Sequence, residues 1–531
     1  MEDTVPKILV YDTTLRDGSQ GEGVSFTVAD MIKIATRLDE AGFDYIEGGW
    51  PGSNPKHEEF FERMKSVPLV NAKLAAFGST RRARVRAEED SNLIKLVQSE
   101  TPVVTIFGKS WDLHVTDALR VELERNIEMI YDSVQFLKNE GKEVIYDAEH
   151  FFDGYKANPN YAIDTLKAAA TAGADCVVLC ETNGGAMPSE VMEVLKAVRD
   201  AVTVPVGMHA HNDSDLAVAN TIIAVQSGAV HVQGTVNGYG ERCGNANLIS
   251  IISNLQIKLR YSCLPEVSLK DLTALSHYVD EIANIVPNDR QPFVGRSAFA
   301  HKAGVHVDAM MKNPDTYEHM HPELVGNERR ILVSELAGAS SIAHKAEKYG
   351  IDLTKQSPET REVLAHVTEL ENKGYSFEGA EASFELLIQK AVGTYEKLFD
   401  LKSFRVIVEQ RGTDPQPITE ATLRVMANGE ELLTVAEGDG PVHALDSALR
   451  KALEKFYPEE LTHIKLTDFK VRVLDATDGT AAGVRAIVES TDGATSWNTV
   501  GVSANIIEAS WNALVDSVEY GLLRLRRNKD A

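Results

Sequence analysis

The stretch that decides the fold is residues 161–180, YAIDTLKAAATAGADCVVLC. Tyr161–Ala172 spaces its apolar side chains three and four residues apart, which predicts an amphipathic helix. Gly173 stands where that helix should end, because glycine adopts the left-handed geometry of a helix C-terminus without steric penalty. Cys176–Cys180 is a short apolar run typical of a buried strand. A helix that turns tightly into a buried strand is the repeating unit of α/β folds.

The same unit recurs along the first half of the chain. The other helices are predicted at Val28–Glu40, Asp117–Asn139, Ser189–Val202 and Asp215–Gln226, with Gly42, Gly141 and Gly228 at helix ends. The remaining strands are predicted at Ile8–Tyr11, Tyr45–Gly48, Lys73–Phe77, Val103–Phe107, Glu143–Tyr146, Val206–His209 and Val230–Gly234. Eight strands alternating with helices over roughly 260 residues favour a (β/α)8 TIM barrel. An open, doubly wound sheet is the alternative, because periodicity does not report closure.

The pattern changes after the last of these strands. Residues 266–399 lack strand alternation and are predicted to form helical connector subdomains after a barrel at 1–265. Residues 400–531 are predicted to form an α+β regulatory domain, because a β-β-β-α pattern occurs there twice. A purely structural dimerisation unit is the alternative for this repeat.

The two halves of the repeat have the same order of elements. The first half is predicted as strands at Phe404–Glu409, Glu420–Met426 and Leu432–Glu437 and a helix at Pro441–Phe456. The second is predicted as strands at Phe469–Leu474, Gly483–Glu489 and Ser496–Val502 and a helix at Ile506–Leu525. Glycine-containing turns are expected before the two helices, at Gly438-Asp439-Gly440 and Gly501-Val502-Ser503.

Composition excludes several classes of function. The 531 residues contain 54 Lys and Arg against 79 Asp and Glu, a net charge of −25 that disfavours binding to nucleic acid or anionic membranes. Apolar runs are too short to span a bilayer, and the start of the chain lacks a signal-peptide pattern. The four cysteines form no CxxC pair and are predicted to be small buried apolar residues. We therefore expect a cytoplasmic protein without nucleic-acid or membrane partners.

A histidine pair follows the seventh predicted strand. His209 and His211 are two residues apart, so in an extended chain their side chains point the same way, toward the face where barrels carry their active sites. Two histidines held by ordinary hydrogen bonds are the alternative, and His319-Met320-His321 in a loop region shows that the pattern also arises elsewhere.

Two other strand ends add oxygen ligands to this pair. Asp17, beside Arg16, follows the first strand, and Asn245 follows the eighth within a glycine-rich loop. A surface ion pair and a simple turn are the alternatives for these two segments. Together with His209 and His211 they offer two nitrogens and two oxygens. That set suits a divalent ion such as Zn²⁺, Mn²⁺ or Mg²⁺ with positions left for a substrate.

Longer segments resemble known families. DTTLRDGSQ from Asp12, HAHND from His209 and GYGERCGNAN from Gly238 are similar to the DRE-TIM metallolyases. FAHKAGVHVDAM, YEHMHPELVGNERRILVSELAG and VGVSANIIEASWNALVDSVEYGL resemble the isopropylmalate, homocitrate and citramalate synthase family with its C-terminal regulatory domain. The resemblance covers nearly the whole chain in the same order. GGWPGSNPKHEEFF and FGKSWDLHV are most similar to the citramalate branch.

The resemblance implies a Claisen condensation of acetyl-CoA with a 2-oxo acid, and it implies site residues. Arg16 matches the group that stabilises the developing alkoxide, and Glu149 matches the family's catalytic carboxylate. Thr182 and His114 are implied to contact substrate, although a surface position is equally open for His114. The remaining catalytic residues, implied to reach the partner subunit's site, are His306, Asp308 and Tyr317. Whether Glu149 or His306 removes the proton stays open.

The resemblance also implies partners and regulation. The citramalate branch joins acetyl-CoA to pyruvate on a route to isoleucine, and isopropylmalate or homocitrate synthesis from a larger 2-oxo acid is the alternative. A homodimer or larger homo-oligomer, inhibited by isoleucine or leucine bound near Gly438 and Gly501, is implied by the C-terminal domain. An inactive amino-acid-binding protein and an aldolase-type lyase are the remaining hypotheses. A basic cluster follows the third strand and consists of Arg81, Arg82, Arg84 and Arg86. It is expected to be a solvated face, with contact to the CoA phosphates as the alternative.

Overall fold

The structure is a computed structural model of the chain. It describes residues 5–332, 339–349, 351, 353–354, 356–377, 379–410, 417–474 and 482–530, so the end of one motif quoted above, residues 333–338, lies outside the described residues. The chain divides into two compact units. One contains the described residues up to Phe299 together with His321–Glu328, and the other contains Ala300–Met320 and the described residues from Arg329 onward.

The first unit contains a closed barrel of eight parallel strands in sequential order. The strands are β1 (Leu9–Asp12), β2 (Tyr45–Gly49), β3 (Lys73–Ser79), β4 (Val103–Lys109), β5 (Glu143–Glu149), β6 (Cys176–Glu181), β7 (Val206–Ala210) and β8 (His231–Gly234). β8 pairs with β1, with Leu9 opposite His231 and Asp12 opposite Gly234, and this pairing closes the barrel. The predicted TIM barrel is confirmed, and the open sheet is excluded.

Helices connect the strands on the outside of the barrel. They are α1 (Val28–Glu40), α2 (Pro55–Met64), α3 (Ser91–Gln98), α4 (Leu123–Asn139), α5 (Phe151–Ala157), α6 (Pro159–Thr171), α7 (Pro188–Ala201), α8 (Ala217–Gln226) and α9 (Leu248–Ser253). α1 is typical: it begins with a capping box between Thr27 and Asp30 and buries Met31 and Leu38, one heptad apart. Each of the four glycines predicted to end a helix has a positive φ, from 76° to 104°.

Some expectations for the first unit were wrong. The helix predicted at Asp117–Asn139 is interrupted, because His114–Leu119 form a π-helical turn and Arg120 adopts a left-handed backbone with φ of 56°. Helices α2, α3 and α5 were not predicted. Cys176, Cys180 and Cys263 are buried as expected, whereas Cys243 is exposed because it lies in the glycine-rich loop. None of the described helices is long and apolar enough to cross a membrane.

Short elements follow the barrel. They are α10 (Glu266–Leu269), α11 (Leu272–Ile282), β9 (Ala300–His301), α12 (Gly304–Lys312), β10 (Arg330–Ile331), α13 (Ala339–Lys348), α14 (Pro358–Asn372) and α15 (Glu381–Ala391). In the second unit, β9 and β10 form a two-stranded parallel sheet. α12 packs against α13, α13 against α14, and α14 against α15. The predicted helical character of this region is confirmed, whereas its domain boundaries stay a prediction.

The C-terminal region contains the predicted repeat. Its elements are β11 (Phe399–Glu409), β12 (Ile418–Ala427), β13 (Glu430–Gly438), α16 (Pro441–Leu453), α17 (Pro458–His463), β14 (Lys465–Val473), β15 (Val484–Thr491), β16 (Ser496–Ser503) and α18 (Ile506–Asp530). Each half forms a three-stranded antiparallel sheet, and α16 and α18 pack on the first and second sheets. The shared core includes Leu423, Leu449 and Trp511.

The glycines before the two helices differ from the expectation at one position. Gly438 ends β13, and the turn lies at Asp439–Gly440, as predicted. Gly501, however, lies within β16, so the turn predicted there was wrong. A Cβ on Gly501 would lie 2.1 Å from the carbonyl oxygen of Ala509, so glycine is required there because α18 packs closely on the strand.

Candidate active site

The carboxyl ends of the barrel strands surround a cavity of about 260 Å³. It is lined by side chains from strand ends and from the loops that follow, which is where TIM barrels carry their active sites. The lining includes Arg16, Asp17, Trp50, Phe77, Phe107, Asp147, Glu149, Cys180, Thr182, His209 and His211. Four of the residues predicted for the site, Arg16, Asp17, Glu149 and Thr182, are thus brought together with the two expected histidines, and the six come from four different strand ends.

Three of the predicted metal ligands form one cluster. The ligand atoms of Asp17, His209 and His211 all lie within 4.8 Å of one another, and all three side chains are buried. Nε2 of His209 is 3.4 Å from a carboxylate oxygen of Asp17. This arrangement of one carboxylate and two imidazoles is a suitable donor set for a divalent ion.

The fourth predicted ligand, Asn245, has a free acceptor. Its backbone forms an isolated bridge with His211, and its Nδ2 donates to the carbonyl oxygen of Tyr239 at 3.0 Å. The Oδ1 of Asn245 and the Nδ1 of His211 are buried, and neither has a hydrogen-bond partner among the described residues. Buried polar atoms are rarely left without a partner. These two buried polar atoms without a partner therefore fit the expected ion, and the geometry supports the predicted metal centre.

Burial and charge set the protonation of the ligands. Burial and the neighbouring His209 lower the pKa of His211 to about 4, so its ring is unprotonated and able to bind a metal. Burial opposes ionisation of Asp17, but Arg16 and His209 hold the pKa of that carboxyl well below its usual range. Asp17 is therefore a carboxylate. Both ligands are in the form that metal binding requires.

Arg16 is held rigidly at the cavity wall. Its Nε donates to Glu47 at 2.5 Å, its Nη1 is 3.4 Å from Asp17, and its guanidinium lies 3.7 Å over the ring of Phe77. Glu47 is fully buried on β2 and also accepts hydrogen bonds from the hydroxyls of Tyr11 and Thr13. A guanidinium fixed on two sides needs little reorganisation to meet an oxyanion.

A second hydrogen-bonded chain orients His209. Its Nδ1 is 3.0 Å from Oε1 of Gln233, and Nε2 of Gln233 donates to Asp147 at 3.1 Å. Because the amide oxygen of Gln233 accepts, Nδ1 of His209 carries the proton and Nε2 faces Asp17. Burial raises the pKa of Asp147 to about 7. This chain fixes the tautomer that leaves Nε2 available as a ligand.

Glu149 and Thr182 lie where the resemblance implied. Glu149 ends β5 and forms an ion pair with Lys109 at the end of β4, and Thr182 follows β6. The Thr182 hydroxyl accepts from the backbone N–H of His150 at 2.9 Å. Both residues line the cavity, so a substrate there is within their reach.

His114 and Arg81 are placed differently from the other residues. His114 packs against Trp111 and His150, with ring centroids 5.1 and 4.4 Å apart, and is not among the cavity-lining residues that the structure describes. Its predicted contact with substrate stays a prediction. Arg81 was expected to be solvated, but only 2% of it is exposed, because it forms an ion pair with Asp132.

The last three predicted residues belong to the second unit. The rings of His306 on α12 and of Tyr317 stack with centroids 4.2 Å apart. Asp308 forms an ion pair with Lys312 one helical turn further on. Residues two apart on a helix do not face each other, so Asp308 does not share the face of His306. The structure thus brings His306 together with Tyr317.

Several residues of the site were not predicted. Three of them, Glu47, Asp147 and Gln233, lie on strands β2, β5 and β8. They were missed because the residues around them in sequence are mostly apolar. Trp50, Phe77 and Phe107 form one wall of the cavity, with ring centroids 5.6 to 6.0 Å apart. A polar side chain inside a fully buried strand is an unusual feature, and it is the signal that could have identified Glu47.

Comparison with known families agrees with this architecture. The HMGL-like family matches residues 7–279, the homocitrate synthase post-HMGL domain-like family matches 293–375, and the LeuA allosteric (dimerisation) domain matches 378–522. The chain is therefore an HMGL-like barrel protein with a C-terminal LeuA domain.

Full-length relatives define the family more narrowly. An (R)-citramalate synthase of Geobacter sulfurreducens is 58% identical, and the match covers 97% of each chain. One of Aquifex aeolicus is 54% identical over 98% of each chain. A probable 2-isopropylmalate synthase of Methanopyrus kandleri is 32% identical over 98% of this chain and 99% of the relative. The chain belongs to the (R)-citramalate synthase family.

Proposed function

We propose that this protein condenses acetyl-CoA with pyruvate and water to give (R)-citramalate and CoA. The observation that carries the proposal is a three-ligand cluster and a fixed Arg16 in one small cavity with an aromatic wall. Identity of 54 to 58% with full-length (R)-citramalate synthases supports the choice of reaction.

Asp17, His209, His211 and Asn245 would hold a divalent ion, namely Zn²⁺, Mn²⁺ or Mg²⁺. When bound, such an ion supplies Lewis-acid polarisation of the keto group of the 2-oxo acid. The side chains contribute the orientation. His209 is fixed by Gln233, and Asp17 is fixed by Arg16.

Glu149 takes a methyl proton from acetyl-CoA, and the resulting enolate carbon attacks the keto carbon of pyruvate. The keto oxygen becomes an alkoxide, and Arg16 stabilises it as the negative charge develops. The alkoxide then takes up a proton, which balances the one removed by Glu149 and gives the hydroxyl of the citramalyl thioester. Lys109 holds the Glu149 carboxylate at the cavity wall through their ion pair. Thr182 donates its hydroxyl hydrogen to the substrate carboxylate, because its oxygen already accepts from His150.

Water then hydrolyses the citramalyl thioester and releases CoA. We propose that His306 and Tyr317 of a second copy of the chain assist this hydrolysis or the proton abstraction. Asp308, two residues after His306, is assigned to the same group. The support is the resemblance of the motif together with the stacked rings of His306 and Tyr317. Glu149→Gln and His306→Asn separate the roles. Loss of acetyl-CoA methyl-proton exchange in the first variant only would assign the base to Glu149.

The aromatic wall favours a small 2-oxo acid such as pyruvate over a branched one. Trp50 is fixed by a hydrogen bond from its Nε1 to Asn92 at 2.6 Å, and it packs edge-on against both Phe77 and Phe107. Three interlocked rings leave little room for a branched side chain, because well-packed aromatic clusters yield only at an energetic cost.

A substrate panel tests the proposal. CoA release is measured with pyruvate, 2-oxobutyrate, 2-oxoisovalerate and 2-oxoglutarate at equal concentrations. We expect the highest kcat/KM with pyruvate and formation of the R enantiomer. A higher kcat/KM with 2-oxoisovalerate or 2-oxoglutarate would instead assign the isopropylmalate or homocitrate reaction.

We further propose regulation through the LeuA domain, as a cytoplasmic homo-oligomer on the route to isoleucine. The support is the match of residues 378–522 to an allosteric dimerisation domain. Inhibition is measured with isoleucine and with leucine on the full chain, and the oligomeric state is measured by sedimentation. A monomeric enzyme, or one that neither isoleucine nor leucine inhibits, would contradict the proposed regulation through the LeuA domain.

A further inference from the structure

The loop that follows β8 holds the side-chain amide of Asn245 in one orientation. Nδ2 of Asn245 donates to the backbone carbonyl oxygen of Tyr239 at 3.0 Å, and that oxygen also accepts from the hydroxyl of Thr235 at 2.8 Å. A carbonyl oxygen can only accept, so the amide nitrogen must face Tyr239. The buried Oδ1 of Asn245 is then the atom left without a partner among the described residues. The position of the Tyr239 carbonyl therefore decides where that oxygen lies.

The loop is wrapped closely around this amide. Gly240 has a φ of 147°, and a Cβ at that residue would lie 2.2 Å from Nδ2 of Asn245. Gly244 has a φ of 88°, and a Cβ there would lie 1.9 Å from the carbonyl oxygen of Gly238. Both positions require glycine, because the backbone is left-handed and no room is left for a side chain. A shift of Tyr239 is therefore passed on to Asn245.

Helix α11 holds Tyr239 from outside the barrel. The phenol hydroxyl of Tyr239 donates to Oδ1 of Asp280, a side chain that is 3% exposed. The same carboxylate oxygen accepts from Nδ2 of Asn237 at 2.7 Å. Asp280 lies on α11, which packs against the turn Val236–Gly238. None of the described residues of α11 lines the barrel cavity, yet one of its carboxylates is bound by two residues of the loop.

Asn237 completes the attachment of the loop to α11. Its backbone has a φ of 61°, and its side-chain oxygen accepts from the hydroxyl of Ser276 at 2.7 Å and from Nε2 of Gln291 at 2.8 Å. Its Nδ2 also donates to the carbonyl oxygen of Ser276 at 2.9 Å. With the bond to Asp280, both acceptor and both donor positions of this amide are used. Polar networks whose members are all satisfied are rigid, so the loop starts from a fixed point on α11.

We propose that Tyr239 and Asp280 are positioning residues of the metal centre. Through the Tyr239 carbonyl they hold the side-chain oxygen of Asn245 in the orientation that binds a divalent ion. Metal ligands depend on such outer partners, and loss of one typically costs about 10–100-fold in metal affinity. The proposal rests on the metal centre of the proposed function, but it does not depend on which 2-oxo acid is the substrate.

The test measures metal affinity directly. Metal-free full-length protein is titrated with Zn²⁺ and with Mn²⁺ in competition with a fluorescent chelator. We expect the dissociation constant to rise about 10–100-fold in Tyr239→Phe and in Asp280→Ala. Asp280→Asn keeps an oxygen that can accept from both Tyr239 and Asn237, so this conservative variant should bind both ions nearly as tightly as the wild type.

Tyr45→Phe is the matched control. It removes a tyrosine hydroxyl that donates to the carboxylate of Glu143 at 2.6 Å, on strand β2 of the same barrel. Thermal unfolding of the metal-free proteins reports the stability that each hydroxyl contributes. Both Tyr239→Phe and Tyr45→Phe should lower the melting temperature, whereas only Tyr239→Phe should weaken metal binding.

A double-mutant cycle tests the route through Asn245. Asn245→Ala should weaken metal binding, and adding Tyr239→Phe to it should have little further effect, because the amide through which Tyr239 acts is already absent. An equal loss from Tyr239→Phe with and without Asn245 would overturn the proposal. So would unchanged metal affinity in Asn245→Ala, or metal binding by Tyr239→Phe as tight as that by Tyr45→Phe.

Failure of the proposed function is seen separately. A wild-type protein that binds neither ion would overturn the metal centre and this proposal with it. A preference for 2-oxoisovalerate in the substrate panel would refute the proposed reaction alone, because the metal titrations contain no substrate and the expected loss in Tyr239→Phe would still support the positioning role.

Discussion

Glu47 is the side chain on which the position of Arg16 depends, and Glu47→Gln is the sharpest test of the site. Glu47 is fully buried and accepts hydrogen bonds from Tyr11, Thr13 and Arg16 at 2.5 to 2.6 Å. Glutamine has the same shape but no charge, and it offers one acceptor oxygen instead of two. Thr13 and Arg16 bond the same oxygen of Glu47, so the glutamine oxygen can keep both, whereas the amide nitrogen then faces the Tyr11 hydroxyl. The buried guanidinium is left with Asp17 as its carboxylate partner.

The magnitude follows from those contacts. Loss of one hydrogen bond to a charged group costs about 1.5–3 kcal/mol, and a buried ion pair left with one partner costs about 3–5 kcal/mol. Since Asp17 remains beside Arg16, we expect a stability loss of about 2–4 kcal/mol for the barrel. Arg16 also turns toward Asp17 and competes with the metal for it. Misplacement of a supporting group of this kind lowers kcat/KM by about 10–100-fold.

Glu143→Gln is the matched control. Glu143 accepts from Tyr45 and Lys73, each at 2.6 Å, so it also joins a tyrosine hydroxyl to a basic group. It begins β5, at the amino end of the barrel, whereas Glu47 bonds Arg16 at the wall of the cavity. Steady-state CoA release, bound metal and thermal unfolding are measured for both variants. Equal losses of kcat/KM in the two variants, or full activity in Glu47→Gln, would refute the positioning of Arg16 by Glu47.

Three further predictions concern the same barrel. His211→Ala removes one of three clustered ligands, so bound divalent metal should fall at least about tenfold, and added Zn²⁺ or Mn²⁺ should no longer raise the melting temperature. Phe107→Ala opens the aromatic wall but leaves Phe77 beneath Arg16. The ratio of kcat/KM for 2-oxobutyrate to kcat/KM for pyruvate should therefore rise about 10-fold or more. An unchanged ratio would show that the wall does not select the substrate. Burial lowers the pKa of His231 to about 3, so the folded protein holds this ring neutral. The contribution of His231 to the free energy of unfolding is therefore complete above the ordinary pKa of about 6.5 and is lost as the pH falls toward 3. His231→Phe should therefore flatten the acid side of the urea-midpoint profile, and parallel profiles would contradict the assignment of a neutral buried ring.

The barrel was predictable because its signals are local. Tyr161–Ala172 and Cys176–Cys180 contain a helix period, a glycine stop and a buried strand within 20 residues, and each is set by neighbours in sequence. The interruption before α4 was not predictable in this way. Arg120 adopts a left-handed backbone although arginine has no preference for it, so the surrounding tertiary structure imposes that geometry.

The site was predictable only where strands end. Asp17 and His209 could be located because residues at the carboxyl ends of barrel strands converge on one face. Glu47 and Gln233 act through partners 31 and 24 residues away in sequence, which no local pattern reports.

The net charge of −25 can be compared with the charges of the side chains that line the barrel cavity. Among the charged residues that line it, two arginines stand against the four carboxylates of Asp17, Asp147, Glu149 and Glu241. Arg16 is also paired with the buried Glu47. Lys109 pairs with Glu149, and burial raises the pKa of Asp147 to about 7, so the four carboxyl groups do not all carry a full, uncompensated charge. The side chains still offer no excess of positive charge to an anionic substrate, because Arg16 is shared between Asp17 and Glu47. A divalent ion held by the cluster of Asp17, His209 and His211 would supply that charge, so the charge balance and the ligand geometry both support the proposed metal site.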